Sequence, residues 1–471
     1  MADGKVKRGF GKYLLILILI IIAAFLITIV VMMFSPFKNV LGFQYLVYNI
    51  DDEVFQTANE ETIDFTNVNE VKVNCNYASV TVARSLDVGA DAVRIENSCK
   101  GFARSSDNTS FTYDIYYSNE GSILNIDVSE PDGFLFFDKQ INISLLLPAR
   151  DTYSFDNTKI TVINSSGNVY IGNQTRLTDQ EVTDIQCYIN VNSIDVKTNS
   201  GIVYLYPFLD NNLNDLSIKS SSGRITNFLN EITISNAFEV HTDSSIINLN
   251  NVVYNGVQNI VFDINEGQLF ADSITGNIDL NIASGYLDIV SLTGSISANN
   301  SVNQLDEARI TINRVDGNIS LPFANSSRIN LGTVAQGNQV YIDGFDCQVN
   351  IEELRGKAFI KTTSGNVNVH IYEDDLDIET TSGNINVTYE SQAIVEQLDF
   401  KTDSGDINLR VLSNLAYQLF VYDGEGKLRD NSNIDIASMD GNFQIPVTVN
   451  GGTTPIMITS NAHINISLIE L

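Results

Sequence analysis

The chain has 471 residues, with 57 Asp and Glu against 27 Lys and Arg, for a formal charge of −30. That balance excludes nucleic acid and other bare polyanions as partners unless cations bridge them. A 44% hydrophobic content excludes an acidic disordered chain, so the charge decorates a folded surface.

Residues 1–12 form a basic cytoplasmic tail with Lys5, Lys7, Arg8 and Lys12. Residues 13–34 are an apolar run without a charged side chain, interrupted mainly by Thr28; at helical rise the run covers roughly 30 Å, enough to cross a bilayer. A cleaved signal peptide would be shorter and end in small residues, whereas this run ends Met32-Met33-Phe34-Ser35-Pro36. The expectation is one uncleaved N-terminal transmembrane α-helix. The positive-inside rule then leaves the N-terminus in the cytoplasm and the rest of the chain outside the cell membrane. Residues 35–61 carry Pro36, Phe37, Phe43, Tyr45 and Tyr48, then Asp51-Asp52-Glu53, and predict a juxtamembrane spacer.

From residue 62 the text turns to strands. Residues 62–150 contain Val71-Lys72-Val73-Asn74-Cys75, Ser79-Val80-Thr81-Val82 and Ile141-Asn142-Ile143-Ser144-Leu145. Pro148 closes the last of these, because it has no N–H to give a ladder. Residues 151–471 repeat one phrase, beginning with Ser165-Ser166-Gly167-Asn168-Val169. The densest copies are Thr363-Ser364-Gly365-Asn366-Val367-Asn368-Val369, Thr381-Ser382-Gly383-Asn384-Ile385-Asn386-Val387 and Asp403-Ser404-Gly405-Asp406-Ile407-Asn408-Leu409, one after another with glycines 18 and 22 residues apart. Gly supplies the positive φ of a sharp corner, while Ser, Asn and Asp bond the backbone there. The alternation that follows buries one face of a strand. A period near 20 predicts an all-β chain wound as a parallel β-helix, a β-solenoid whose core grows in one dimension. Roughly 20 coils at ~4.8 Å would make a rod on the order of 100 Å long. Antiparallel sandwiches with Ser-Gly turns are the alternative, yet they give no reason for one phrase to recur in the same phase.

Candidate chemistry is sparse. Export permits disulfides, and Cys75 with Cys99 are the candidates for a bridge; Cys187 and Cys347 read as buried thiols. Glu373-Asp374-Asp375, with Asp377 and Glu379, is the densest acidic cluster, and only Lys361 and Arg355 are near it in sequence. A solvated corner is favoured over a catalytic group there. Asp243, Asp316, Asp403, Asp406 and Asp440 fall beside corner glycines, where carboxylates could hold a structural Ca²⁺. The chain lacks the calcium-roll nonapeptide, and Asp in turns more often bonds its own backbone, so no cofactor or metal is expected. His241, His370 and His463 are far apart and read as surface residues. Without Trp, a sugar platform would rest on outward tyrosines such as Tyr170, Tyr204 and Tyr286.

Residues 412–436 break the rhythm with Tyr417, Phe420 and Tyr422, followed by Asp423-Gly424-Glu425-Gly426-Lys427, and are the candidate recognition loop, an insert that merely lengthens one coil being the plainer reading. The chain ends in Ile464-Asn465-Ile466-Ser467-Leu468-Ile469, a strand that needs a cover over its open edge.

The strand Ile143-Ser144-Leu145-Leu146-Leu147-Pro148, the Ser-Ser-Gly-Asn-Val strand about 20 residues later and the many Ser-Gly-(Asn/Asp)-Ile-x-Val copies resemble the bacterial β-strand-repeat adhesins, also described as auto-transporter adhesin head, GIN-type domains. The resemblance covers roughly residues 65–471 and implies a right-handed parallel β-helix on an envelope protein, with no catalytic residues to carry over. The expected function is a non-catalytic scaffold at the cell surface, structural or adhesin-like, with glycans or surface proteins as partners. A polysaccharide-active enzyme on the same fold and an envelope-stress accessory are the alternatives.

Overall fold

A computed structural model describes residues 15–24, 27, 43–55, 57–58, 61–62, 68–84, 93–104, 112–118, 122–130, 140–147, 158–172, 191–206, 212–227, 231–298, 305–372, 375–391, 398–430, 433–437 and 443–469. Among the described residues from 43 onward the architecture is all-β. One 34-stranded sheet dominates, and nearly all of its pairings are parallel.

The repeat spacing sets that topology. Ile260 lies in register with Ile278, and Leu269, halfway between them in the chain, lies in register with Leu287 on a different pair of strands. One coil therefore holds two strand segments and two corners, and the chain builds two parallel ladders. In the first, the inward positions run from Leu124 through Val71, Ile160, Ile194, Leu216 and Phe238 to Leu398, Ile456 and Leu419. In the second, they run from Ile143 through Val80, Val169, Val203 and Ile225 to Ile407, Ile464 and Ile434. These side chains are all at most 5% exposed, so the core is one continuous column of aliphatic residues. Among the described residues each ladder counts sixteen strands, which at ~4.8 Å gives a stack about 75 Å long, shorter than the expected 100 Å. The difference lies in long excursions of the chain between rungs: Ile160 pairs with Ile194, and Leu398 with Ile456, at intervals well beyond the basic period.

The corners explain the repeated phrase. The Gly383 N–H donates to Thr380 Oγ1 at 3.0 Å, and the Gly405 N–H donates to Thr402 Oγ1 at 3.0 Å, each closing a tight turn. The following Asn reaches to the next coil. Asn366 Oδ1 accepts the Asn384 N–H and Asn384 Oδ1 accepts the Asp406 N–H, both at 2.9 Å. The glycine serves differently at different corners. At Gly167, Gly201 and Gly223 it supplies φ of +135°, +121° and +125°, as expected. Gly365, Gly383 and Gly405 are not in the left-handed region; there a Cβ would run into the backbone carbonyl of Cys347, Gly365 or Gly383 in the coil beneath.

Neither end of the stack follows chain order. At one end, Glu70–Cys75 and Ser79–Arg84 lie inside the later strands Ile123–Ser129 and Gln140–Leu147. Antiparallel strands then cover that outermost coil: Thr112–Ser118 on Ile123–Ser129, Val93–Arg104 on Gln140–Leu147, and Phe43–Phe55 on Val93–Arg104. At the other end, the final strands Pro455–Ser460 and Ile464–Ile469 slot between Leu398–Thr402 and Ile407–Leu412 on one side and Tyr417–Tyr422 and Ile434–Ile436 on the other. Val447–Val449 adds an antiparallel cover to Tyr417–Tyr422. The last strand thus gains partners on both edges from its own chain.

Two expectations need correction, and a third falls mostly outside the described residues. Phe43–Phe55 is a strand rather than part of a spacer. Among the described residues no helix is long and apolar enough to cross a membrane; residues 15–24 are helical, and the remainder of the 13–34 run, residue 27 apart, lies outside the described residues, as does the 1–12 tail. Cys75 is a free, buried thiol and not half of a bridge to Cys99. Its strand pairs with Ile123–Ser129 and Lys159–Ser166, whereas the Cys99 strand pairs with Phe43–Phe55 and Gln140–Leu147, so the two backbones are not neighbours.

Candidate functional site

Parallel, in-register pairing turns a motif repeated in sequence into a column on the surface, because the same outward position recurs one rung higher. The Asn of each Val-Asn-Val phrase does this. Asn330, Asn350, Asn368, Asn386, Asn408 and Asn465 occupy consecutive rungs of the second ladder, all half-buried or exposed. Asn386 Nδ2 donates to Asn368 Oδ1 and Asn408 Nδ2 donates to Asn386 Oδ1, both at 2.9 Å. Asn386 thus spends one donor and one acceptor on its neighbours and keeps a second N–H and a second lone pair for solvent or ligand.

Two residues further along these strands, His370, Thr388 and Arg410 form a parallel column. The His370 ring stacks on Tyr372 with centroids 4.6 Å apart, and its Nε2 lies 3.0 Å from Glu390 Oε1. Arg355 Nε donates to Glu353 Oε1 at 2.5 Å, and its guanidinium carbon is 5.6 Å from the Tyr372 ring centre. The Arg355 hydrogen bond holds the Glu353 carboxyl below its usual range, while desolvation and the nearby Glu390 and Glu353 charges raise the Tyr372 phenol. Between the two columns lies an open groove of about 460 Å³, lined on one side by Asn350, Asn368, Asn386 and Asn408 and on the other by His370, Thr388 and Arg410. It is long, shallow and periodic, with donors and acceptors at every rung.

The first ladder presents a different surface at similar height. Tyr341 and Phe359 stack with centroids 5.3 Å apart, and the column continues into Asp377 and Asp399. Beside it Glu379 accepts from Lys401 at 3.0 Å and lies 3.3 Å from Lys361. Lys357 donates to Asp375 at 2.8 Å. Of the cluster singled out in the sequence, Asp377 and Glu379 lie on a strand face laced with ion pairs and Asp375 lies just before that strand; Glu373 and Asp374 lie outside the described residues. Desolvation, then Asp399 and Glu379, push the Asp377 carboxyl up to about 6.

The remaining candidates scatter. Tyr417, Phe420 and Tyr422 belong to the strand Tyr417–Tyr422 and not to a loop. Tyr417 is fully buried, and burial pushes its phenol up to about 12; Phe420 and Tyr422 stack half-buried on the outer face, 6.4 Å apart. Cys75 and Cys347 are buried thiols pushed up to about 12 by desolvation, and the side chain of Cys99 and all of Cys187 lie outside the described ones. Tyr170 lies flat on Tyr204 at 4.9 Å, with Tyr206 completing the cluster, so the rings cover one another's faces. Tyr286 packs against Phe270. Among the described residues no three His, Cys, Asp or Glu side chains converge as metal ligands do, and Asp440 lies outside them. His463 pairs with Asp435 at 2.9 Å.

Sequence reasoning named the corners and passed over the asparagine column. The signal was present, since Asn follows the first aliphatic residue of all three dense copies. Against known families, the model described as Toastrack DUF4097 matches residues 68–338 and 336–446. No curated protein and no solved structure matches the chain.

Proposed function

The chain belongs to the Toastrack DUF4097 family, and from that premise we propose that it is a non-catalytic, membrane-anchored scaffold whose right-handed β-helix holds a binding face outside the cell. The observation that carries this reading is the asparagine column from Asn330 to Asn465, with donors and acceptors repeating every ~4.8 Å. Such a face matches a ligand that is itself repetitive, and amides pair with sugar hydroxyls in both directions. A neutral glycan is the partner this chemistry favours, with a surface protein as the other candidate; an adhesive role would be one use of it. Anchoring through residues 13–34, with the N-terminus cytoplasmic, is part of the proposal. In support, Leu15 to Ile22 form helix with side chains 45–59% exposed, an apolar surface that water does not stabilise.

The test is a glycan-array screen of the full chain in lipid nanodiscs, beside Asn386→Asp and Asn408→Asp. Saturable binding to neutral glycans, weakened at least fivefold in the variants with unchanged unfolding midpoints, supports the reading. Binding that ignores both substitutions, or no binding to any glycan or surface-protein panel, sinks it. The polysaccharide-active alternative draws on the Asp377–Asp399 pair beside Tyr341 and Phe359. It requires sugar cleavage by the wild-type chain that Asp377→Asn and Asp399→Asn abolish.

A further inference from the structure

A second groove, of about 550 Å³, opens on rungs of the first ladder far from the asparagine column. The register of its strands places Lys197, Lys219, His241 and Asp263 in one outward column. Lys197 is neutralised by Asp195 at 3.1 Å, a carboxylate that also holds Lys159 at 3.3 Å. His241 lies between Asp263, 3.2 Å from Nδ1, and Glu239, 3.5 Å from Nε2. Lys219 differs. It is exposed, its neighbours above and below are Lys197 and His241, and its ammonium group makes no ion pair or hydrogen bond among the described residues. Two ammonium groups on adjacent rungs repel one another, and this occurs in a chain with about twice as many acids as bases.

The adjoining corner contributes Asn199, Ser221 and Asp243 to the same groove. One end thus offers an uncompensated cation with amide and hydroxyl donors, and the other a carboxylate that accepts hydrogen bonds and repels a second negative charge. We propose that this groove binds an acidic sugar, its single carboxylate or phosphate on Lys219 and its hydroxyls on Asn199, Ser221 and Asp243. A polyanion is discriminated against by Asp243, Asp263 and the overall charge; a neutral sugar leaves Lys219 without a partner. The assignment goes beyond the scaffold reading and uses different rungs, so either can fail alone.

The full chain in phosphatidylcholine nanodiscs is titrated with glucuronic acid, glucose 6-phosphate and glucose by isothermal calorimetry. At least one anionic sugar should bind saturably and at least tenfold tighter than glucose, and the tighter of the two identifies the anion. Lys219→Gln should weaken that binding about tenfold, the size of one charge-assisted contact, while Lys219→Arg retains it and Asp243→Asn does not weaken the anion's hold. Both lysine variants should unfold at the wild-type urea midpoint, since Lys219 makes no contact the fold needs. The proposal is overturned if neither anionic sugar binds saturably, if glucose binds equally well, or if Lys219→Gln binds as wild type does.

Discussion

Replacing Gly383 with Ala places a methyl group against the Gly365 carbonyl oxygen one coil below, closer than any van der Waals contact allows. To restore an ordinary carbon–oxygen separation of ~3.3 Å, the corner must lift by about 1 Å or more. Among the hydrogen bonds that join these two corners, three are the short ones donated by the upper corner's backbone: Thr381 N–H to Thr363 O at 3.1 Å, Ser382 N–H to Thr363 O at 2.9 Å, and Asn384 N–H to Asn366 Oδ1 at 2.9 Å. At about 1 kcal/mol net for each, their loss destabilises the stack by about 3 kcal/mol, the upper end of the range for an overpacked site. Gly426→Ala is the control. Nothing lies within 4 Å of its Cβ, but its φ is +77°, so only backbone strain of about 1 kcal/mol applies. Urea unfolding followed by circular dichroism measures both, and amide exchange at residues 381, 382 and 384 locates the damage. A Gly383→Ala variant that unfolds at the wild-type urea midpoint, or is no less stable than Gly426→Ala, would refute the close-stacking explanation of these corners.

Further outcomes follow from particular contacts. Deleting residues 455–471 removes Ile456, Ile458, Ile464 and Ile466, all fully buried, from between two layers, so Tyr417–Tyr422 and Ile434–Ile436 should lose protection from amide exchange although they remain in the chain. Asp377, raised to about 6 in the fold against 3.8 in the unfolded chain, binds more protons when native between those values. Stability should therefore fall as pH rises from about 4 to 6, and Asp377→Asn should remove that slope and stabilise the neutral-pH protein by about 0.5 kcal/mol, solvent screening included, as read from urea midpoints across pH. The Cys75 and Cys347 thiols, pushed up to about 12 by burial, should resist Ellman's reagent at pH 8 in the native protein and react only on unfolding.

Much of the repeat architecture was legible because a parallel stack copies its pattern into the chain. Val367, Ile385 and Ile407 recur at the coil period, and the structure stacks them in one buried file. The ends were not legible. Ile464-Asn465-Ile466 has the same alternation as an ordinary coil, and nothing local says that it threads between Ile407–Leu412 and Ile434–Ile436; that position depends on which open edges the whole chain leaves to be covered. Tyr417 illustrates the same limit. Its neighbours read as an out-of-phase loop, yet Tyr417, Leu419 and Val421 alternate inward in a covering strand. For the candidate faces, the even spacing of Lys197, Lys219, His241 and Asp263 was available in the sequence, but it acquires meaning only once register shows that this interval is one complete coil there.

The most direct test of in-register stacking is oxidative cross-linking of paired cysteines introduced at outward positions. Asn368→Cys with Asn386→Cys, and His370→Cys with Thr388→Cys, face one another across adjacent parallel rungs and should both form disulfides rapidly. The crossed pairs, Asn368→Cys with Thr388→Cys and His370→Cys with Asn386→Cys, should not. Rapid bridging of the crossed pairs and none of the direct ones would mean that these strands run antiparallel, and the surface columns would not exist.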